Sequence, residues 1–219
     1  MIVNFRKITF LTFLLPVTFA FFFSSLSEQM EEEPVRIVIF GDSITAGYGL
    51  DPDQAFPAKI QEKIDAAGWR ANVVNAGVSG ETSAGGLRRI DWILQHRVDL
   101  FVLELGGNDG LRGINPDLTM ENLQLIIDKV SETYPDAGIV LTGMEAPPNM
   151  GGDYTTRFRQ IYQELADEND LIFMPFILEG VGGEPDLNQS DGIHPTEEGH
   201  EMIADNLWEI LEPVIERLQ

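Results

Sequence analysis

Five short apolar segments recur along the chain, and the longer segments between them carry apolar residues at helical spacing. The apolar segments are residues 35–40, 71–76, 100–105, 138–143 and 171–176. Near-continuous apolar runs of this length are typical of strands that are buried on both faces of a sheet. The segments between them, for example Phe56, Ile60 and Ile64 before Gly68, predict amphipathic helices. A last helix is predicted to start near Thr196.

This alternation predicts an α/β fold with a five-stranded parallel sheet and helices on both faces, because parallel neighbours require crossover connections. The active sites of such sheets lie beyond the carboxyl ends of the strands. The residues that directly follow each apolar segment are therefore the ones to inspect for chemistry.

Three predicted strands end in glycine-rich segments that carry polar side chains. These segments are Gly41-Asp42-Ser43, Gly77-Val78-Ser79-Gly80-Glu81-Thr82 and Gly106-Gly107-Asn108-Asp109. A fourth polar segment, Asp191-Gly192-Ile193-His194-Pro195, comes just before the last helix. Together they supply a hydroxyl, an imidazole, carboxylates and free backbone N–H groups at one predicted edge of the sheet.

This set of groups predicts acyl transfer. A serine hydroxyl becomes a good nucleophile when an imidazole takes its proton and a carboxylate fixes the imidazole tautomer, and the developing oxyanion needs preorganised donors. Ser43, His194 and Asp191 fit the first three roles. The oxyanion donors would be the backbone N–H groups of Ser43 and Gly80 and the side-chain amide of Asn108.

Four motifs carry a resemblance to a known family. GDSIT, NAGVSGET, GGND and DGIHP resemble, in order and approximate spacing, the four blocks of the SGNH (GDSL-type) serine hydrolases over about residues 35–217. VVNAGVSGETSAGGL, ELGGNDGLRG and DGIHP are similar to the bacterial periplasmic thioesterase, arylesterase and lysophospholipase subgroup. The resemblance implies a flavodoxin-like three-layer α/β/α sandwich, a shallow open site and an exported acyl hydrolase that needs no cofactor.

The resemblance also implies roles for particular residues. The nucleophile falls on Ser43, the oxyanion glycine and asparagine on Gly80 and Asn108, and the Asp-x-x-His pair on Asp191 and His194. In the subgroup, loops equivalent to Leu111-Arg112-Gly113-Ile114 and residues 146–154 line the acyl-binding groove. Leu111, Arg112 and Ile114 are therefore expected to bind substrate, with Arg112 available to an anionic or phospholipid head group.

Other interpretations of the same residues stay open. The fold would also suit a carbohydrate O-acetyl esterase of the same superfamily, or a non-catalytic flavodoxin-like binding module. Asp42 and Asp109 could be an acid pair of the glycosidase type, but we expect them to be buried and to fix the loops around Ser43 and Asn108. Glu104 either pairs near the site or marks the end of a strand.

A metal site and a nucleotide site are not expected. Asp191, His194 and His200 are three possible ligands within ten residues, but no cysteine and no H-E-x-x-H motif accompany them. His200, in the first turns of the last helix, is expected to be a solvated surface residue. No phosphate-binding glycine motif is present in the sequence.

Residues 1–27 resemble a secretory signal peptide. Arg6 and Lys7 precede an apolar run from Ile8 to Phe23, and small residues follow it, so cleavage after Ser27 is expected. An uncleaved leader would instead act as a membrane anchor, although the run is short for a span of about 20 residues. Residues 28–34 would form an acidic linker and residues 35–219 the hydrolase domain.

The chain of 219 residues has a formal net charge of -22, from 36 acidic and 14 basic residues, and it has no cysteine. Loss of the leader, which carries Arg6 and Lys7, would take the charge from -22 to -24. Such a charge argues against a nucleic-acid partner. The expected partner is a small acyl ester or thioester, and the expected location is the periplasm or the medium.

Overall fold

The computed structural model describes residues 33–219, which contain a parallel sheet of five strands. The strands are β1 (Val35–Gly41), β2 (Ala71–Gly77), β3 (Leu100–Glu104), β4 (Gly138–Thr142) and β5 (Ile172–Met174). All five predicted strands are confirmed, and only the last is clearly shorter than its apolar segment. Pro175 follows β5 and has no N–H to donate to a neighbouring strand, so the sheet pairing stops there.

Within residues 33–219, seven helices surround the sheet. They are α1 (Ser43–Ala46), α2 (Phe56–Ala67), α3 (Ser83–Ile93), α4 (Gly107–Leu111), α5 (Pro116–Thr133), α6 (Gly152–Glu168) and α7 (Glu197–Arg217). Two short 3-10 helices occupy Pro52–Gln54 and Pro148–Met150. The long helices confirm the predicted ones, whereas α1 and α4 are single turns that directly follow strands and that the apolar spacing did not predict.

The order of the strands, β2-β1-β3-β4-β5, explains the two helix layers. The chain moves from β1 to β2 in one direction and then steps in the other direction from β2 through β3 and β4 to β5. Because such crossovers are right-handed, α2 lies on one face of the sheet and α3, α5 and α6 lie on the other. α7 contacts α2, and α5 contacts α3 and α6, which completes the predicted α/β/α sandwich.

The core is densest in the central strands. Residues 37–40 of β1 and 100–103 of β3 are almost completely buried, as expected for strands that are covered on both faces.

Helix caps define where several helices start. The Thr82 side chain accepts a hydrogen bond from the Gly85 N–H before α3, and that of Thr196 accepts one from the Gly199 N–H before α7. The predicted start of the last helix near Thr196 is therefore confirmed.

The N-terminal predictions fall mainly outside this description. The leader over residues 1–27 lies outside the described residues, as does most of the linker over 28–34. Within residues 33–219, no helix is both long enough and apolar enough to cross a membrane.

His200 is buried, so the prediction that it is a solvated surface residue was wrong. Its side chain is 1% exposed, and its Nδ1 accepts a hydrogen bond from the Phe56 N–H at 3.1 Å. The imidazole also stacks on the Phe56 ring. This contact joins the start of α2 to α7. Burial lowers the pKa of His200 from its usual 6.5 to about 4, because the charged form loses its hydration.

We expect His200→Asn to reduce the acid sensitivity of the fold. Neutral His200 contributes stability that is fully present above pH 6.5 and is lost as the pH falls towards 4, because the unfolded chain takes up the proton first. The difference between these two pKa values corresponds to about 3 kcal/mol. The amide oxygen of asparagine takes the place of Nδ1 as acceptor but does not titrate. Urea unfolding at pH 4 to 7 should therefore show a shallower loss of unfolding free energy in this variant.

His96→Asn is the matched control, because it makes the same substitution at a histidine that is exposed. An equal pH dependence in His200→Asn and the wild type would contradict the role given to His200.

Candidate active site

The four polar segments singled out in the sequence lie together at the carboxyl ends of β1, β2 and β3. The parallel register places Gly41 beside Gly77 on one side and beside Glu104 on the other, so the three strands end at the same level. The loop from Asp191 to His194, which precedes α7, covers the same edge. Residues that are far apart in the sequence are therefore brought within hydrogen-bonding distance.

Ser43 is the first residue of α1 and is held there by its neighbour. The Asp42 side chain caps the helix by accepting a hydrogen bond from the Ile44 N–H at 3.0 Å. The single turn ends at Gly47, which has a positive φ of 69°. The chain thus turns sharply at the end of β1, and the Ser43 hydroxyl faces the cavity described below although the residue is only 8% exposed.

His194 connects Ser43 to Asp191. Its Nε2 lies 3.0 Å from the Ser43 Oγ, and its Nδ1 lies 2.7 Å from the Asp191 Oδ2. The other carboxylate oxygen of Asp191 accepts hydrogen bonds from the backbone N–H groups of Ile193 and His194. These hydrogen bonds lower the pKa of Asp191 to about 2, with the His194 side chain as the largest cause. An ionised Asp191 accepts a hydrogen bond from the Nδ1–H of His194, which leaves Nε2 as the acceptor for the Ser43 O–H.

Gly80 and Asn108 line the same cavity as Ser43. Gly80 has a φ of 79°, a conformation that side chains rarely adopt, and its carbonyl accepts a hydrogen bond from the Arg112 guanidinium at 3.0 Å. The Asn108 side chain donates one N–H to the Asp42 Oδ2 at 3.1 Å. An amide carries two N–H groups, so the second one remains available to a ligand.

Asp42 and Asp109 are both buried and hydrogen-bonded, as the sequence led us to expect. Asp42 holds Ile44 and Asn108, whereas Asp109 accepts hydrogen bonds from the Ser83 N–H, the Ser83 hydroxyl and the Thr119 hydroxyl. Asp109 therefore ties the start of α3 and the start of α5 to α4. Since Asp109 is fully buried and does not line the cavity, the two carboxyl groups do not form a glycosidase-type pair around a substrate.

Sequence reasoning missed the contribution of Arg89. Its guanidinium donates to the Glu81 carboxylate and to the carbonyl oxygens of Gly41 and Ala76, and it lies 3.9 Å from the centre of the Phe40 ring. Arg89 thus fixes the ends of β1 and β2 beneath the site. Helical spacing only predicted that Arg89 lies on a helix, because the positions of its partners depend on how α3 packs on the sheet.

A cavity of about 1000 Å³ extends from this set of residues. One end of the cavity is lined by Ser43, Gly80, Asn108 and His194. Its other walls come mainly from the loops after β4 and β5 and include the apolar side chains of Met144, Ala146, Pro147, Met150, Phe176 and Leu178. The loop after β4 was predicted to line the groove, whereas the contribution of the loop after β5 was missed.

The three residues that were expected to bind substrate lie in different places. Leu111 lines the cavity and is 46% exposed. Arg112 does not line it and instead holds the Gly80 carbonyl. The side chain of Ile114 does not line the cavity either, and its carbonyl accepts a hydrogen bond from the Tyr154 hydroxyl. Direct contact of Arg112 and Ile114 with substrate therefore stays a prediction.

The three residues that the sequence offered as possible metal ligands do not come together at one point. His200 accepts the Phe56 N–H on α2, while Asp191 and His194 bind each other. Within residues 33–219, no group of three or more histidine or acidic side chains has the arrangement of a metal site.

Comparison with known proteins extends these observations. Residues 39–202 match the model of the GDSL-like lipase/acylhydrolase family. Esterase TesA of Pseudomonas aeruginosa is 39% identical over 191 residues, which cover 87% of this chain and 93% of that protein. Thioesterase 1/protease 1/lysophospholipase L1 of Escherichia coli is 38% identical over 180 residues, covering 82% of this chain and 84% of that protein.

A solved structure shows the same fold. The crystal structure of the psychrotrophic esterase EstA from Pseudoalteromonas sp., inhibited by monoethylphosphonate, superposes with a TM-score of 0.78 at 31% sequence identity. The match covers 83% of this chain and 98% of that one.

Proposed function

Because this chain belongs to the GDSL-like lipase/acylhydrolase family and is a serine ester hydrolase, we propose that it cleaves acyl esters and thioesters through an acyl-enzyme on Ser43. The observation that carries the proposal is the continuous hydrogen-bonded chain from the Ser43 Oγ through His194 to Asp191. The names of the relatives, which include an esterase and a thioesterase, support both kinds of acyl substrate.

The first step is the attack of the Ser43 Oγ on the acyl carbonyl carbon. His194 Nε2 accepts the hydroxyl proton as the new C–O bond forms, and Asp191 stabilises the resulting imidazolium through Nδ1–H. The carbonyl oxygen becomes an oxyanion. The imidazolium then gives its proton to the leaving alcohol or thiol, and the bond between the acyl carbon and the leaving group breaks.

The oxyanion is stabilised by three donors. They are the backbone N–H groups of Ser43 and Gly80 and the Asn108 N–H that Asp42 does not occupy. Asp42 and Arg112 fix two of these donors before substrate binds, because the first holds the Asn108 amide and the second holds the Gly80 loop. Donors that need no reorganisation during the reaction give the largest stabilisation of the transition state.

Water completes the cycle. His194 takes a proton from a water molecule that attacks the acyl-enzyme, and it returns that proton to the Ser43 Oγ when the carboxylic acid leaves. The same three donors stabilise the second oxyanion.

We expect Ser43→Ala to lower kcat for p-nitrophenyl butyrate by about a millionfold, because triad residues act as a unit. Asn108→Ala should lower kcat by about a hundred- to a thousandfold through the loss of one oxyanion donor. Steady-state kinetics measure both effects. Ser79→Ala is the matched control, because Ser79 lines the same cavity without a place in the triad, and it should keep near wild-type turnover.

Covalent labelling separates this enzyme from a non-catalytic binding module. A fluorophosphonate should add one adduct to the wild type and to Ser79→Ala and none to Ser43→Ala, as measured by intact mass. A folded wild-type protein that takes no label and hydrolyses no ester would contradict the proposal. The phosphonate named for the related esterase EstA supports this choice of reagent.

The substrate is proposed to carry a short to medium acyl chain. The cavity is too large for an acetyl group alone, and apolar side chains from the loops after β4 and β5 form much of its wall. An apolar chain that extends from the Ser43 carbonyl position along this wall would gain the hydrophobic contact that an acetyl group lacks.

We expect Phe176→Ala and Leu111→Ser to lower kcat/KM for p-nitrophenyl octanoate by about tenfold each, the equivalent of about 1.4 kcal/mol of lost contact. Turnover of p-nitrophenyl acetate should stay within about twofold, because the acetyl group does not reach these side chains. Leu118→Ser, at an exposed leucine outside the cavity wall, is the matched control and should leave the ratio of the two substrates unchanged. Activity confined to acetylated sugars would instead favour the carbohydrate O-acetyl esterase.

The enzyme is also proposed to be exported. The support is the order of basic residues, apolar run and small residues over residues 1–27. Expression of the full chain in a bacterial host, followed by N-terminal sequencing, should give a periplasmic product that starts at Glu28. Recovery of the whole chain in the membrane fraction would contradict cleavage and favour the anchor.

A further inference from the structure

Glu104 is a carboxyl group in the middle of the protein. It is the last residue of β3, the central strand of the sheet, and its exposed fraction is 0%. The register places it directly beside Gly41, at the point where β1 leads into the turn of Ser43. Its position behind the nucleophile, together with its complete burial, calls for a physical reason, because a buried charge is costly unless it is well paired.

The two oxygens of Glu104 have different surroundings. Oε2 accepts hydrogen bonds from the Asp42 N–H at 3.2 Å and from the Thr45 hydroxyl at 2.7 Å. Oε1 is buried without any hydrogen-bond partner. A carboxylate would leave half of its negative charge unsolvated at Oε1, whereas a neutral acid can carry its proton there at a lower cost.

The charged groups around Glu104 do not neutralise a second negative charge. The Asp42 carboxyl group acts electrostatically on Glu104, and Asp109 and the Tyr162 hydroxyl lie in the same buried region. The Arg89 guanidinium reaches the Gly41 carbonyl, but the Glu81 carboxylate already accepts hydrogen bonds from it. From the cavity side, the His194 imidazole interacts electrostatically with Asp42 and lowers the pKa of Asp42.

We propose that Glu104 keeps its proton at neutral pH and is a positioning residue that leaves the one negative charge of the pair on Asp42, where that charge orients the Asn108 amide. The inference rests on the proposed function, because it gives Asn108 its task as an oxyanion donor. Glu104 thus acts on the reaction through Asp42 and does not touch the substrate.

The direction of the pKa shifts agrees with this assignment. Burial, and then the charge of Asp42, raise the pKa of Glu104 well above its usual value. Burial also raises the pKa of Asp42, but hydrogen bonds from Ile44 and Asn108 oppose that effect, and its pKa is about 6. These directions agree with a proton that rests on Glu104 and a negative charge that rests on Asp42.

The glycine at position 41 shows how closely Glu104 is packed against the nucleophile turn. A Cβ atom at this position would overlap the Thr45 Oγ and the Glu104 Oε2. The space beside Gly41 is filled by Thr45 and Glu104, so a residue with a Cβ atom at this position would displace one of them.

Infrared difference spectra of the wild type and its variants test directly whether Glu104 carries a proton. The wild type at pH 7 should show the carbonyl stretch of a protonated carboxylic acid, and Glu104→Gln should lose that band while Asp42→Asn keeps it. The absence of the band from the wild type would overturn the proposal. Loss of the band in Asp42→Asn and its survival in Glu104→Gln would also overturn it, because the proton would then belong to Asp42.

Kinetics test the positioning role. Glutamine imitates a neutral acid, so Glu104→Gln should keep kcat within about threefold and leave the pH profile unshifted. Glu104→Met, which fills the space but accepts no hydrogen bond, should lower kcat by about tenfold or more with little change in KM. A profile shifted along the pH axis in Glu104→Gln would show that a charge had been lost and would contradict the proposal.

The two proposals can fail separately. The infrared band reports the proton on Glu104 whether or not Ser43 is the nucleophile. Unchanged activity in Ser43→Ala would remove the proposed function and leave the assignment of the proton standing.

Discussion

The parallel pairing of β1 with β2 on one side and β3 on the other is the constraint on which the active site depends. Its register puts Gly41 level with Gly77 and Glu104, so that the three strands end at the same level and the turns that follow them start side by side. Neither glycine has room for a Cβ atom, because Gly77 lies against the backbone of α1 and Gly41 lies against Glu104. A slip of one residue between β1 and β3 would separate Ser43 from Asn108, and a slip between β1 and β2 would place a side chain against the backbone of α1.

Most of the fold could be predicted from the sequence, because short sequence patterns determine the strands and helices. Apolar runs mark the strands, helical spacing marks the helices, and right-handed crossovers convert their order into layers. The pair Asp191 and His194 was equally visible, since its geometry is set within one short loop by hydrogen bonds over two and three residues. The α1 and α4 turns were not predicted, because each is too short to carry an apolar periodicity.

What the sequence did not reveal depends on contacts between distant segments. His200 looked like a surface residue until α7 packed on α2, where the Phe56 N–H lies 144 positions away. The roles of Arg89 and of the loop after β5 were missed for the same reason, because packing determines which residues they contact. Glu104 is the exception. A carboxylate inside an apolar strand was noticeable in the sequence, but only the structure shows that one of its oxygens faces the Ser43 turn and the other faces no partner.

The cavity wall and the proposed catalytic groups come from different parts of the sheet. Ser43, Gly80 and Asn108 follow β1, β2 and β3, whereas much of the apolar wall follows β4 and β5. Loops on a rigid scaffold tolerate insertions and deletions better than the strands that carry them. Natural variation or recombination in the loops after β4 and β5 can therefore change which acyl groups the enzyme accepts without changing Ser43, Gly80 or Asn108. These loops are accordingly the segments to vary in directed evolution of substrate specificity.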